Sequence, residues 1–399
     1  MNSKLAGALA AITLEQLDDD PYPVYAWLRE HAPVAWIPAV GLWLVTTWAA
    51  VETAATDAET FSAGVTPSPL ERTMGEDNIL LIDGPRQKRL RQALDPSLRP
   101  RQVEQNAVPL IAPLVDEYLG RIERRGHADL MAEYFEPISV RSLALVLGIA
   151  EIDDDTLRRW FAEMAIGATN FEGDAAKDRI GMGASREVGE RLAPIMRRMF
   201  AEPDGSTISN MLQEADGSFD ERVAWIMPTV KIIITGGMQE PGHAAGSTVF
   251  GLLGNPEQSV ALAADPHGLV RPAIEEGLRW ISPIGTQTRR ATRATTLAGI
   301  DVPESANLGL LISAANRDPL AWGDDAERYN LFREKRPHGG FGFGTHFCPG
   351  HHLSRVQMRL AIEALYARCR NLRFDPDRQS ELRGWEFRAP AHLHVRWDR

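Results

Sequence analysis

Cysteine is nearly absent: the 399-residue chain carries two, Cys348 and Cys369. Two cysteines build no disulfide framework, and so sparse a supply fits a chain that works in a reducing cytoplasm. Long apolar runs are missing as well. Leu5 to Leu14 is apolar but far short of the ~20 residues that span a bilayer. Glu15, Asp18, Asp19 and Asp20 follow it, and no signal-peptide pattern is present. No membrane is therefore expected. A basic excess is lacking too. The net charge of -11 argues against general affinity for nucleic acid and favours solubility. There is no internal repeat and no low-complexity linker, and the prolines are scattered, so residues 1–399 are expected to form a single domain.

What is present is ordinary core material, 44% hydrophobic, arranged mostly with helical periodicity. Apolar spacing predicts helices over Gln102 to Arg125, Asp154 to Ala168, Ala176 to Phe200 and Leu353 to Tyr366. Strand patterns are short: Val34–Ile37, Leu42–Thr46, Thr296–Val302 and the alternating His392–Trp397. The expected class is mainly α with a small β region.

The chemistry concentrates in Phe341-Gly-Phe-Gly-Thr-His-Phe-Cys-Pro-Gly350. Cys348 closes a glycine-rich loop just before a helix. A thiolate there faces unpaired backbone N–H groups and the positive end of the helix dipole, which predicts a lowered pKa. Gly342, Gly344 and Gly350 permit positive φ or a close approach to a flat ligand. Upstream, Glu276 and Arg279 share one helical face. Also upstream stand Arg289, with Arg290 beside it, Arg91, in Asp83-Gly-Pro-Arg-Gln-Lys-Arg-Leu-Arg91, and His338, three residues before the loop. Arg86, Lys88, Arg89 and Arg91 form a basic run on an acidic chain. In Gly236-Gly-Met-Gln-Glu-Pro-Gly-His243, Pro241 predicts a kinked helix beside two glycines.

The cysteine string resembles the haem-ligand loop of cytochrome P450 at each fixed position, and the other motifs follow that family's order over nearly the whole chain. The resemblance implies the P450 fold, haem b and an axial thiolate from Cys348, which favours O–O cleavage. It implies that Phe341, Gly342 and Gly350 shape the haem loop and that Arg91, Arg289 and His338 meet the haem propionates. Glu276 and Arg279 would brace the core. The family's usual acid–alcohol pair is replaced by Gln239 and Glu240, the expected proton-handling residues.

The strings Met238–His243, Pro137–Leu143, Glu276–Pro283 and Gly384–Pro390 resemble bacterial aryl O-demethylases of lignin-derived methoxyphenols. On that resemblance Met74, Ala168, Ile232, Gly236, Gln287 and Phe387 line the pocket. Ala168 stands where guaiacol demethylases carry a phenylalanine, which points to syringol, with its second methoxy group. The implied partners are O2 or hydrogen peroxide, and a ferredoxin or a flavin/iron–sulfur reductase that docks on the basic run. Other readings stay open: a P450 for another small hydrophobic substrate, a haem protein without turnover, or a cysteine hydrolase pairing Cys348 with His346 or His351.

Overall fold

The computed structural model describes residues 3–398. Local chemistry sets most helix ends. The Asp153 carboxylate accepts from the Thr156 N–H at 2.9 Å and opens the helix Asp154–Ala168, as expected. Asp174 caps the helix Ala175–Ala201 in the same way. Ser218 and Glu221 form a reciprocal capping box at the start of Phe219–Gly237. The helix after the cysteine loop runs His351–Arg368, longer than its apolar pattern suggested.

Two expectations change. The stretch Gln102 to Arg125 is helical but uneven: a wide turn, Val103–Ala107, precedes an α-helix Val108–Ile122, and a tight turn, Glu123–Arg125, ends it. Pro109 has no N–H to give to a carbonyl four residues back, so the register widens just before it. Thr296 to Val302 is not one strand but a hairpin, Thr295–Leu297 against Ile300–Val302. Ala298 and Gly299 turn the corner at φ 49° and 77°, the double left-handed geometry of a tight hairpin.

A five-stranded sheet joins remote segments in the order Val34–Ile37, Leu42–Val45, Asn307–Leu311, Thr286–Ala291 and Phe61–Ser62. Its register sets Arg289 opposite Leu308 and so fixes where that arginine sits. A three-stranded sheet pairs the last strand, His394–Asp398, with His127–Asp129 and Arg370–Phe374. Early and late parts of the chain are thus interleaved. The expected last strand began at His392; pairing begins two residues later.

The main apolar core gathers around the helices, with Trp160, Tyr134 and Phe135 fully buried. The expected kinked helix at Pro241 is instead two helices, Phe219–Gly237 and Glu240–Leu253. The first ends on a bond from the Met238 N–H to the Ile234 carbonyl at 3.2 Å. Proline at the start of the second has no N–H to continue the ladder. The second helix lies tight against its neighbours because Gly242 carries no side chain: a Cβ there would meet the Phe135 carbonyl oxygen at 2.8 Å. Among the described residues, no helix is long and apolar enough to cross a membrane.

Candidate active site

The cysteine loop is built from left-handed glycines and clamped from outside. Gly342 and Gly344 take φ values of 74° and 61°, which a side chain would strain. The Cys348 N–H donates to the Phe341 carbonyl at 2.8 Å, folding the loop back on itself. The helix Gly84–Leu98 supplies two clamps: Gln87 Nε2 donates to the Thr345 carbonyl at 2.8 Å, and Arg91 Nη1 to the Phe347 carbonyl at 2.6 Å. A third comes from Asp83, whose Oδ1 meets His346 Nε2 at 2.9 Å. Burial alone would raise the Asp83 pKa; the bonds from His346, the Ser62 hydroxyl and the Ala63 N–H outweigh it and hold it at about 2. A Cβ on Gly350 would lie 3.8 Å from Cys348 Sγ, an ordinary contact, so the sulfur sits directly beside this glycine.

The lowering expected of the Cys348 thiol from the helix start is outweighed within the protein. Burial raises it and outweighs the Gly350 N–H and the Arg91 and Arg355 charges, which pull the other way. Only direct coordination to a metal cation would remove that proton outright. Cys369 is buried in the apolar core, and burial pushes its thiol up to about 12.

Arg289 is the odd group of the site. It is 2% exposed, yet no carboxylate pairs with it among the described residues. Nη1 donates to its neighbour's carbonyl, Thr288, at 2.8 Å, and Nη2 reaches the Ala55 carbonyl at 3.4 Å. With its amide oxygen turned inward, Gln287 accepts from the guanidinium at 2.7 and 3.2 Å. Burial pulls the arginine pKa down to about 10, against a weaker pull from Asp83. A buried cation without an anion is expensive, and a ligand carboxylate would complete it. The alternative, Arg290, points elsewhere and donates to the Thr66 carbonyl at 2.5 Å.

Three of the expected site residues have partners within the protein. His338 has both ring nitrogens engaged: Nε2 with Glu275 at 3.0 Å, while Nδ1 accepts from the Gly340 N–H at 3.0 Å. It ties the loop to the helix Pro266–Trp280 instead of offering a free donor. Arg91 is held by Asp95 at 2.7 Å and by the Phe347 carbonyl, so its first duty is to the loop. Gln287 faces Arg289 and sits 3.7 Å from a Cβ placed on Gly342, so it belongs to the arginine's surroundings more than to a substrate wall.

At the break between the two distal helices, Gly236 borders open space: a Cβ there meets nothing within 4 Å. Gln239 is half-buried and Glu240 is buried. Glu240 Oε2 lies 3.3 Å from His243 Nδ1, whereas Oε1 is buried without a partner. An unpaired buried oxygen costs about 1–3 kcal/mol unless water or a ligand meets it. One turn earlier, the Thr235 hydroxyl lies 3.8 Å from the sulfurs of both Met74 and Met164. Met74 is wholly buried, Ile232 is 8% exposed and Ala168 is 5% exposed at the end of its helix. Phe387 packs edge-to-face on Phe161, with ring centres 5.8 Å apart, and Phe161 packs edge-to-face on His243 at 5.9 Å. Phe161, Met164, His243 and Glu136 were missed from sequence. Only His243 had a visible signal, its place one helical turn after Glu240.

Glu276 and Arg279 form a two-bond pair, 2.7 Å each, and are almost wholly buried. Arg333 adds a third charge at 3.2 Å, and Arg279 donates to the carbonyls of Asn316, Ala326 and Arg328. Their role is bracing, as expected. The hydrolase reading loses its geometry. His346 is turned to Asp83, and His351 Nδ1 lies 3.0 Å from Arg355 Nη1. The basic run is also weaker than it looked, because Arg86 pairs with Asp77 and Arg89 with Asp216.

A cysteine loop on a helix start, a buried arginine awaiting a carboxylate and a broken distal helix define a haem-thiolate protein. The family model for cytochrome P450 matches residues 268–383. Cytochrome P450 130 of Mycobacterium tuberculosis is 30% identical over 366 residues, 88% of each chain. 6-Deoxyerythronolide B hydroxylase of Saccharopolyspora erythraea is 28% identical over 398 residues, 95% of this chain and 96% of that one. The solved structure of P450BioI in complex with a fatty-acyl carrier protein superimposes with a TM-score of 0.87 at 24% identity, covering 96% of this chain and all of that one. The chain belongs to the cytochrome P450 family and is a mainly α P450 fold. Members of the family bind haem b, and the residues here fit it: Cys348 would supply the thiolate, and the buried Arg289, which has no carboxylate partner among the described residues, would meet a propionate.

Proposed function

The chain is a P450 monooxygenase, and we propose that it demethylates a methoxyphenol, syringol before guaiacol. The net reaction takes the aryl methyl ether, O2, two electrons and two protons to the phenol, formaldehyde and water. The same products follow from the ether and hydrogen peroxide alone. When bound, haem b supplies the oxygen chemistry; the chain's residues orient, exclude water and move protons.

The observation that carries this reading is the edge-to-face pair Phe161–Phe387 beside the Gln239–Glu240 break. An aromatic ligand beside these rings can add a further edge-to-face or offset-stacked contact to them. Met74 and Ile232 would add apolar walls, and the small Ala168 would leave room for a second methoxy group. Hydroxylation of the methyl carbon yields a hemiacetal that collapses to phenol and formaldehyde. The carboxylate of Glu240 is the base and acid of the site, working at the buried turn with Gln239 as an uncharged donor beside it. Electrons come from a soluble partner, as in bacterial P450s.

The test is a binding titration with guaiacol, syringol and a hydroxylase-type hydrocarbon, followed by formaldehyde assay. A spin shift with syringol and formaldehyde matching the phenol formed are expected. A protein that shifts only with the hydrocarbon and releases no formaldehyde would remove the demethylase reading and leave the monooxygenase intact.

A further inference from the structure

Glu240 does not stand alone at the distal turn. His243 Nδ1 meets its Oε2 at 3.3 Å, and the other ring nitrogen, Nε2, lies 3.7 Å from Glu136 Oε1. Glu136 Oε2 in turn accepts from Arg158 Nη2 at 2.7 Å. Side-chain exposure rises along this row: 9% at Glu240, 12% at His243, 20% at Glu136 and 29% at Arg158. The row therefore leads from the buried turn to water.

Its elements are brought together on purpose of packing. Gly242 lets the helix Glu240–Leu253 touch the start of Glu136–Leu147, where a Cβ would fall 3.2 Å from the Glu136 Cα. From the helix Asp154–Ala168, Phe161 covers the imidazole with an uncharged ring, and Arg158 arrives already bonded to Glu136. The charged groups around the imidazole are thus Glu240, Glu136 and Arg158. With a protonated ring the quartet is neutral; with a neutral ring it carries an uncompensated negative charge in the interior. Burial disfavours the imidazolium, but the two carboxylates outweigh it and push the His243 pKa up to about 10.

We propose that His243 is the proton donor that recharges Glu240 from solvent by way of Glu136. This rests on the reading that Glu240 handles protons, not on the identity of the substrate. In the step, the Nδ1–H bond breaks and an O–H bond forms on Glu240 Oε2, leaving a neutral ring with its proton on Nε2. A half-turn about Cβ–Cγ carries that N–H to the Glu240 side and turns the bare nitrogen to Glu136. There a proton from solvent, passed by the Glu136 carboxylate, restores the imidazolium. No electrons move.

The two routes to product then differ. The oxygen route takes two protons from solvent in each turnover. Hydrogen peroxide brings its own, and Glu240 alone can shift one between its oxygens. His243 and Glu136 are needed for the first route only.

The test uses the haem-loaded full chain with His243→Gln and Glu136→Gln. NADH and oxygen consumption are followed with electrons from a soluble ferredoxin and its reductase, so the readout does not depend on which substrate is taken. Haem reduction under carbon monoxide checks that electron delivery is unchanged. Peroxide consumption is measured separately. Both variants should lose about a hundredfold or more in the oxygen route, the lower end of the scale of a lost proton donor, and keep the peroxide route. Glu136→Gln lies at a partly exposed helix start, so it remains informative where His243→Gln does not fold. A second measurement needs no turnover: histidine nitrogen NMR of the reduced, carbon monoxide-bound protein should find the His243 ring doubly protonated at pH 7. A neutral ring, or equal losses in both routes, overturns the relay. Glu240→Gln separates the two ideas: if it spares both routes, the reading of Glu240 fails; if it slows both while the relay variants slow neither, only the relay fails.

Discussion

Replacing Arg289 with leucine should move two stabilities in opposite directions. The guanidinium is 2% exposed and meets only carbonyls and an amide. Its pKa falls from the usual arginine range to about 10, chiefly through burial. That fall corresponds to ~3 kcal/mol of unfavourable burial of the charge. The sign is plain: the folded value is the lower one, so the penalty is fully present at neutral pH and eases only as pH rises through about 10. Leucine removes the charge and leaves an apolar side chain in its place. The haem-free protein should therefore gain up to ~3 kcal/mol, a rise in Tm of several degrees. The haem-loaded protein should lose the charge-assisted bonds to a propionate, about 1.5–3 kcal/mol, or roughly ten- to a hundredfold in haem affinity. Thermal unfolding of the haem-free protein and haem transfer to apomyoglobin measure the two effects. If Tm falls in the haem-free variant, or if haem leaves at the wild-type rate, the buried cation is not waiting for an anion and the reasoning is wrong.

Cys348→Ala should abolish the red-shifted Soret band of the reduced, carbon monoxide-bound protein, whereas Cys369→Ser, in the apolar core, should keep it; retention of the band in Cys348→Ala would end the thiolate assignment. Ala168→Phe should lose syringol turnover and keep guaiacol turnover, because the added ring overpacks by ~1–3 kcal/mol; an unchanged ratio of formaldehyde yields would put Ala168 outside the pocket. Glu386 is buried, with Oε1 unpartnered, and burial pushes its pKa up to about 8 against a weaker pull from the nearby Thr286 hydroxyl. The folded state holds its proton longer than the unfolded chain, so stability falls as pH rises from the ordinary carboxylate range to about 8. Glu386→Gln should leave Tm unchanged at pH 4 and raise it at pH 9, and equal shifts at both pH values would show that the carboxylate does not titrate there.

Much of this protein was legible in the chain because the features concerned are local. The cysteine loop packs ligand, glycines and helix start into ten consecutive residues, so its chemistry could be read in order. The helix Asp154–Ala168 and the strand Val34–Ile37 came out at their expected bounds, since capping and apolar period act over a few residues. The interruption at Pro241 was visible for the same reason, although a missing N–H cannot tell a kink from a full break. Tertiary structure decided what remained. His346 finds Asp83 across 263 positions, and His338 finds Glu275 across 63. No local pattern encodes such pairs, so neither the clamp at His346 nor the tie from His338 to a neighbouring helix could be read from sequence. Burial decided the signs of the pKa shifts: a helix start alone would lower the Cys348 thiol, yet enclosure raises it. The choice between Arg289 and Arg290 likewise fell to the register of one strand, because neighbouring side chains point to opposite faces and only one of the two points inward.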